Sequence, residues 1–161
     1  MNVGLLYARW VLGLLATEMV PDIATDALAQ GRDGEALRRL AGMERPTRAD
    51  IGGLFERALE EMGYQVESLG EEAAARAVVR DIARGIVSGE MDAAEGAEAL
   101  WAMWEPCGEP LELGVFGCLS DDYEDCQGIP EQAQEIRQTI IAEAKELLVR
   151  WSGSSYPQQQ E

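Results

Sequence analysis

The chain has 161 residues, 47% of them hydrophobic, and it carries 30 acidic residues against 13 lysines and arginines, with no histidine. This length suits one domain that buries a sizeable core without a metal ion or disulfide to hold it together. The net charge of -17 makes nucleic acid and anionic membrane surfaces poor partners, because both would be repelled.

The apolar run near the start predicts a buried helix from Gly4 to about Met19. Arg9 interrupts the run, Glu18 follows closely, and no basic segment precedes it, so the pattern is not that of a signal peptide or a membrane span. The chain is therefore expected in the cytoplasm.

The next helices are indicated by the residues at their ends. Pro21 suits the first turn of a second helix and Gly31 its end, and Asp33 suits the N-cap of a third. Three further helices are predicted at capping pairs, in which a capping residue precedes an acid by three positions: Thr47 with Asp50, Ser68 with Glu71, and Asp92 with Glu95.

The helical period is lost between Pro106 and Gly128, where glycine, proline and aspartate are frequent, and an ordered but irregular excursion is predicted there. Pro130 opens a last amphipathic helix that reaches Trp151. The fold predicted is all-α: one domain over residues 1–151, a bundle of about seven helices with an irregular acidic excursion before the last one, and a flexible tail over residues 152–161.

The stretch CLSDDYEDC places four carboxylates between two thiols and raises the question of a metal site. An EF-hand loop that began at Asp121 would have Cys126 where glycine is required, and three cysteines are too few and too widely spaced for structural zinc. We therefore expect no metal and no cofactor. The odd number of cysteines favours free thiols, and oxidation between Cys118 and Cys126 remains an open alternative.

A carboxylate-dependent magnesium hydrolase of nucleotides is the main catalytic alternative, because DAAEGAE offers acids at helical spacing. However, Trp101 and Trp104 are predicted to face the core with Leu100, which turns Glu95 and Glu98 towards solvent. The region also lacks a lysine or arginine to hold phosphate. We expect a protein that is not an enzyme, and a structural or small-ligand-binding helical module is the other alternative.

The charge is unevenly distributed, since residues 85–135 contain 13 acids and no lysine or arginine. An aromatic residue among carboxylates is typical of surfaces that bind basic proteins, so this segment predicts a partner-binding surface. A solvated acidic loop is the plainer interpretation. The predicted binding residues are Asp121, Asp122, Tyr123, Glu124, Asp125, Glu105, Glu109 and Glu112.

Two stretches, DIARGIVSGEMDAAEGAEALW and EIRQTIIAEAKELL, resemble small, acidic, all-helical bacterial proteins of uncharacterised function. Some of those proteins are thought to be immunity proteins that neutralise toxins. The resemblance spans roughly Arg76 to Trp151 and implies a helical protein that binds a basic toxin domain. It rests on a Gly-Glu helix break, a glycine and a tryptophan in the next helix, and an amphipathic last helix, so it transfers no functional residue.

Overall fold

The computed structural model describes residues 2–66, 69–126 and 128–152. Within these ranges the chain forms eight α-helices and one short 3-10 helix, with no β-strand, so the predicted all-α class is confirmed. The α-helices are α1 (Val3–Val11), α2 (Val20–Ala29), α3 (Glu35–Ala41), α4 (Arg48–Glu61), α5 (Glu71–Ser88), α6 (Ala93–Ala102), α7 (Leu111–Asp125) and α8 (Pro130–Ser152), and the 3-10 helix is Thr17–Met19.

The chain divides into two compact units, Met1–Ala74 and Ala75–Glu161. The boundary falls in the first turn of α5. The single domain predicted over residues 1–151 stays a prediction. Ser152 ends α8, and the rest of the predicted tail, residues 153–161, lies outside the described residues, as does the predicted cap Ser68.

The core of the first unit is built from the apolar faces of α1 to α4. Trp10 and Phe55 pack with their ring centroids 4.9 Å apart, and the Arg48 guanidinium lies 4.1 Å from the centroid of the Trp10 ring. The capping box predicted at Thr47 is present, because the Asp50 amide donates to the Thr47 side chain and the Thr47 amide donates to the Asp50 carboxylate. These bonds set where α4 begins.

The first helix is shorter than the predicted span of Gly4 to Met19. It ends at Val11 because Gly13 takes the left-handed conformation, with φ at 71°. The Leu14 amide then donates to the Arg9 carbonyl and the Gly13 amide to the Trp10 carbonyl, which is the Schellman pattern of helix termination. A helix therefore ends within the apolar run, and the hydrophobic pattern alone does not indicate this end.

The predicted cap of α3, Asp33, is wrong. The N-cap is Gly34, and the carboxylate of Glu61, the last residue of α4, accepts hydrogen bonds from the amides of Ala36 and Leu37. A Cβ on Gly34 would lie 2.0 Å from Glu61 Oε2, so glycine is needed for this approach. Asp33 instead forms an ion pair with Arg38.

The irregular excursion predicted between Pro106 and Gly128 is also wrong, because most of it is α7. Leu113, Phe116 and Gly117 are buried at helical spacing. The Trp101 ring can lie against α7 only because residue 117 is glycine, since a Cβ at that position would lie 2.8 Å from Trp101 Cδ2. The glycine that suggested a loop instead allows close contact between two helices.

Helices α6 and α7 pack antiparallel in the second unit. Trp101 lies against Gly117, while Trp104, further along the chain, lies near Gly114, so the pairing runs in opposite directions. Helix α8 follows a short connection and packs against both helices. The last turns of α7 are therefore close to the start of α6 and to the second turn of α8.

Candidate functional site

Four of the predicted binding residues form one surface at the C-terminal end of α7. Asp121, Asp122, Glu124 and Asp125, here called the α7 acidic turn, are all exposed and make no ion pair with any described residue. The carbonyl groups that end a helix carry partial negative charge, so carboxylates there are unfavourable. No lysine or arginine in the described ranges therefore neutralises this group of charges.

Tyr123, one of the predicted binding residues, makes a contact within the protein. It lies seven residues after Phe116, which places it on the buried face of α7, and it is half-buried. Arg137 Nη2 donates a hydrogen bond of 2.7 Å to the Tyr123 hydroxyl, and the Arg137 guanidinium lies 5.1 Å from the centroid of the Tyr123 ring. The tyrosine therefore connects α7 to α8, and its hydroxyl is already hydrogen-bonded within the protein.

Arg137 also pairs with Asp92, the N-cap of α6. The Asp92 carboxylate accepts hydrogen bonds from the amides of Ala94 at 2.9 Å and Glu95 at 3.4 Å, so the predicted cap is confirmed. Burial alone would raise the pKa of Asp92, but the hydrogen bonds from Arg137 and the two amides outweigh it and hold that pKa below its usual value. Arg137 thus connects the start of α6, the end of α7 and α8.

We expect Asp92→Asn to lower the free energy of unfolding by about 1 kcal/mol at neutral pH, since asparagine can still cap but carries no charge for Arg137. A carboxyl group whose pKa is lowered by folding stabilises the folded protein at pH values above its ordinary pKa of about 3.9. This stabilisation is lost as the pH falls through the lowered pKa. Urea unfolding of both proteins between neutral pH and pH 3 should therefore show the difference shrinking below about pH 4. Asp121→Asn, at an exposed and unpaired position, is the control; a difference for Asp92→Asn that stays constant with pH would contradict this assignment.

The other three predicted residues, Glu105, Glu109 and Glu112, lie at the opposite end of α7. Glu105 and Glu109 are in the turn that precedes α7 and Glu112 is in its first turn. A rise of about 1.5 Å per residue puts Glu112 about 14 Å along the helix from Asp121. The eight predicted residues therefore form two groups at the two ends of α7 and not one continuous surface.

Sequence reasoning missed a stacked aromatic pair between these two groups, in which one ring is exposed and the other half-buried. Trp101 and Trp104, here called the tryptophan pair, stack with ring centroids 5.1 Å apart and an interplanar angle of 26°. Trp101 was predicted to be a core residue, but it is 42% exposed. The available signal was Gly117, because a glycine on the buried face of a helix allows a wide ring of another helix to approach its backbone.

The cysteines are free thiols: Cys107 is buried, Cys118 exposed and Cys126 half-buried. Because Cys118 and Cys126 are eight residues apart along α7 and its cap, their Cα atoms are separated by about 12 Å. A disulfide needs less than about 7 Å, so the pairing left open by the sequence would require α7 to unwind.

Neither metal ligation nor membrane insertion receives support from the described part of the chain. No group of three or more Cys, Asp or Glu side chains there is arranged to hold a metal ion. No helix there has the length and apolar character that crossing a bilayer requires. The expectations of no cofactor, no catalysis and a cytoplasmic location stay predictions.

Comparison of the chain with protein-family models, with curated proteins and with solved structures found no match. The resemblance to immunity proteins therefore stays a prediction, and the candidate site rests on its own geometry and charge.

Proposed function

We propose that this protein binds a basic protein and covers its cationic site without catalysis, as an immunity protein does when it neutralises a toxin. The observation that carries the proposal is the α7 acidic turn, whose four exposed carboxylates form no ion pair with a described residue. These charges repel one another and the end of their own helix. A cationic partner would turn that unfavourable arrangement into an attraction.

The charge distribution over the sequence also supports the proposal. No lysine or arginine occurs between residues 85 and 135, a segment that includes all of α6 and α7. A single sign of charge over a continuous part of a chain produces a field that steers an oppositely charged protein towards it and raises the rate of association. Attraction of this kind weakens as salt shortens the screening length.

The test measures binding of the purified protein to immobilised basic proteins, including basic nucleases, over a range of salt concentrations. The variant Asp121→Asn/Asp122→Asn/Glu124→Gln/Asp125→Asn removes the charge of the α7 acidic turn with little change in shape. We expect binding of the unaltered protein to weaken steeply as salt rises from about 50 to about 300 mM. The variant should bind at least about tenfold more weakly at low salt, the effect of a change of about 1.4 kcal/mol.

A second variant with the same change in net charge serves as the control. Asp22→Asn/Asp26→Asn/Glu56→Gln/Glu60→Gln alters four exposed acids of α2 and α4, in the first unit. This control should bind as the unaltered protein does. Equal losses in the two variants would show that only net charge matters, and an absence of salt-sensitive binding to any basic protein would overturn the proposal.

A further inference from the structure

In the tryptophan pair, Trp101 is 42% exposed and Trp104 is half-buried, and Trp101 contacts α7 one turn before the α7 acidic turn. The Trp101 ring lies flat enough on α7 that a Cβ at Gly117 would meet three of its atoms within 3.1 Å, and the Trp104 ring stacks on it. Gly117 therefore allows the Trp101 ring to lie directly on α7. An exposed indole held in place by a second, half-buried indole is typical of the anchor residues of binding surfaces.

Carboxylates surround this pair. Glu98 lies one turn before Trp101 on α6, and Glu105 directly follows Trp104; both are exposed. On α7, Asp121 lies one turn beyond Gly117, and the antiparallel pairing of α6 with α7 brings that turn level with Glu98. The pair therefore lies between Glu105 on one side and Glu98 with Asp121 on the other.

Arginine side chains lie over the other two tryptophan rings of this chain. Arg48 lies over Trp10 at 4.1 Å and Arg76 lies over Trp151 at 4.9 Å, measured from the guanidinium carbon to the ring centroid. Trp101 and Trp104 are the remaining tryptophans, and no arginine or lysine of the described residues lies over either. Trp101, the more exposed of the two, therefore lacks among the described residues the cation that covers Trp10 and Trp151.

We infer that the tryptophan pair binds an arginine side chain of the basic partner, with its guanidinium stacked on the indoles and its charge facing Glu98, Glu105 and Asp121. The inference rests on the proposed function and moves the anchor of the interface from Tyr123 to Trp101. Arginine fits better than lysine because the guanidinium is planar, weakly hydrated and able to bond a carboxylate while it stacks on an aromatic face. The negative surroundings select a cation over an apolar side chain.

The experiment compares two short peptides of equal length and charge, one of alternating arginine and glycine and one of alternating lysine and glycine. Binding is measured by calorimetry at low and moderate salt. We expect the arginine peptide to bind about two- to thirtyfold more tightly than the lysine peptide. Trp101→Leu should abolish this preference, because it weakens binding of the arginine peptide more than binding of the lysine peptide.

A second variant separates the two proposals without altering the rings. Glu98→Gln/Asp121→Asn changes two exposed side chains and should weaken both peptides while the preference for arginine remains. If both peptides bind equally, with strong salt dependence, the inference falls and the proposed function stands. If neither peptide binds the unaltered protein at low salt, both fall.

Two further results would assign the surface to another occupant and overturn the inference. One is binding of tetramethylammonium as tight as that of the arginine peptide, with loss in Trp101→Leu, which would indicate a small cationic ligand. The other is concentration-dependent self-association in sedimentation equilibrium that Trp101→Leu abolishes, which would indicate a second copy of this chain. We expect neither, since the carboxylates around the pair would repel those of a second copy.

Discussion

Replacing Phe116 with alanine is expected to lower the free energy of unfolding by about 3–5 kcal/mol. The Phe116 side chain is completely buried, in α7 of the second unit, with the fully buried Leu113 one turn before it. Truncation removes the apolar surface that folding takes out of water and leaves a cavity that the surrounding helices can fill only in part. Urea unfolding followed by circular dichroism measures the change.

Leu111→Ala is the matched control for Phe116→Ala, because it also truncates an apolar side chain of α7. Leu111 is 91% exposed, so its loss should change the free energy of unfolding by no more than about 0.5 kcal/mol. Similar effects in the two variants would mean that α7 does not pack with this face inward, and the placement of the α7 acidic turn would then be wrong.

Gly96→Ala is expected to lower the free energy of unfolding by about 1–3 kcal/mol. In an open helix interior the same change would raise stability by about 1 kcal/mol, because alanine has the higher helix propensity. At Gly96, however, the new Cβ would lie 2.4 Å from Cγ1 and 2.6 Å from Cδ1 of Ile86. Ile86 is only 2% exposed, so it is surrounded by other atoms of the core that resist its displacement.

The control for Gly96→Ala is Gly114→Ala in the interior of α7. A Cβ at Gly114 would meet only Trp104 Nε1, at 4.0 Å, which is an ordinary contact. This substitution should therefore raise the free energy of unfolding by about 0.5–1 kcal/mol. If thermal or urea unfolding showed both glycine variants to be stabilised, the close approach of α5 and α6 at Gly96 would be refuted.

Local signals in the sequence were sufficient for several helices. The capping box at Thr47 depends only on residues three positions apart, and it is confirmed. In the apolar face predicted for the last helix, five residues are buried and two are half-buried: Ala133, Ile140, Ala144, Leu147 and Trp151 are buried, and Ile136 and Leu148 are half-buried. In both cases the determining interactions repeat along one helix, so the pattern of residues contains them.

Interactions between distant residues could not be predicted from the sequence. Helix α3 is capped by Glu61, 25 residues after Ala36, and no local pattern indicates this bond. Helix α7 was missed because glycine usually interrupts a helix, whereas Gly117 is required by the ring of Trp101, on another helix. The energy gained from such contacts outweighs the low helix propensity of glycine only after the two helices meet.

The candidate site was predicted in part. Its carboxylates could be found from the sequence, because a run of acids without a base is visible in the composition of a segment. The role of Tyr123 could not, since Arg137 lies 14 residues away in the chain and reaches it only when α7 and α8 pack. The exposure of Trp101 could not be predicted either, because the position of its ring depends on how α6 packs against α7.

The acids at the end of α7 lower the stability of the protein, while in the proposed function they raise its affinity for a basic partner. Each carboxylate beside the negative end of the helix dipole lowers stability by roughly 0.3–1 kcal/mol, and a lysine in its place would reverse that sign. The substitution Asp125→Lys would thus raise the free energy of unfolding and weaken binding of a basic partner. Selection for heat resistance alone would therefore erode the proposed binding, as in other proteins in which stability and activity trade against each other.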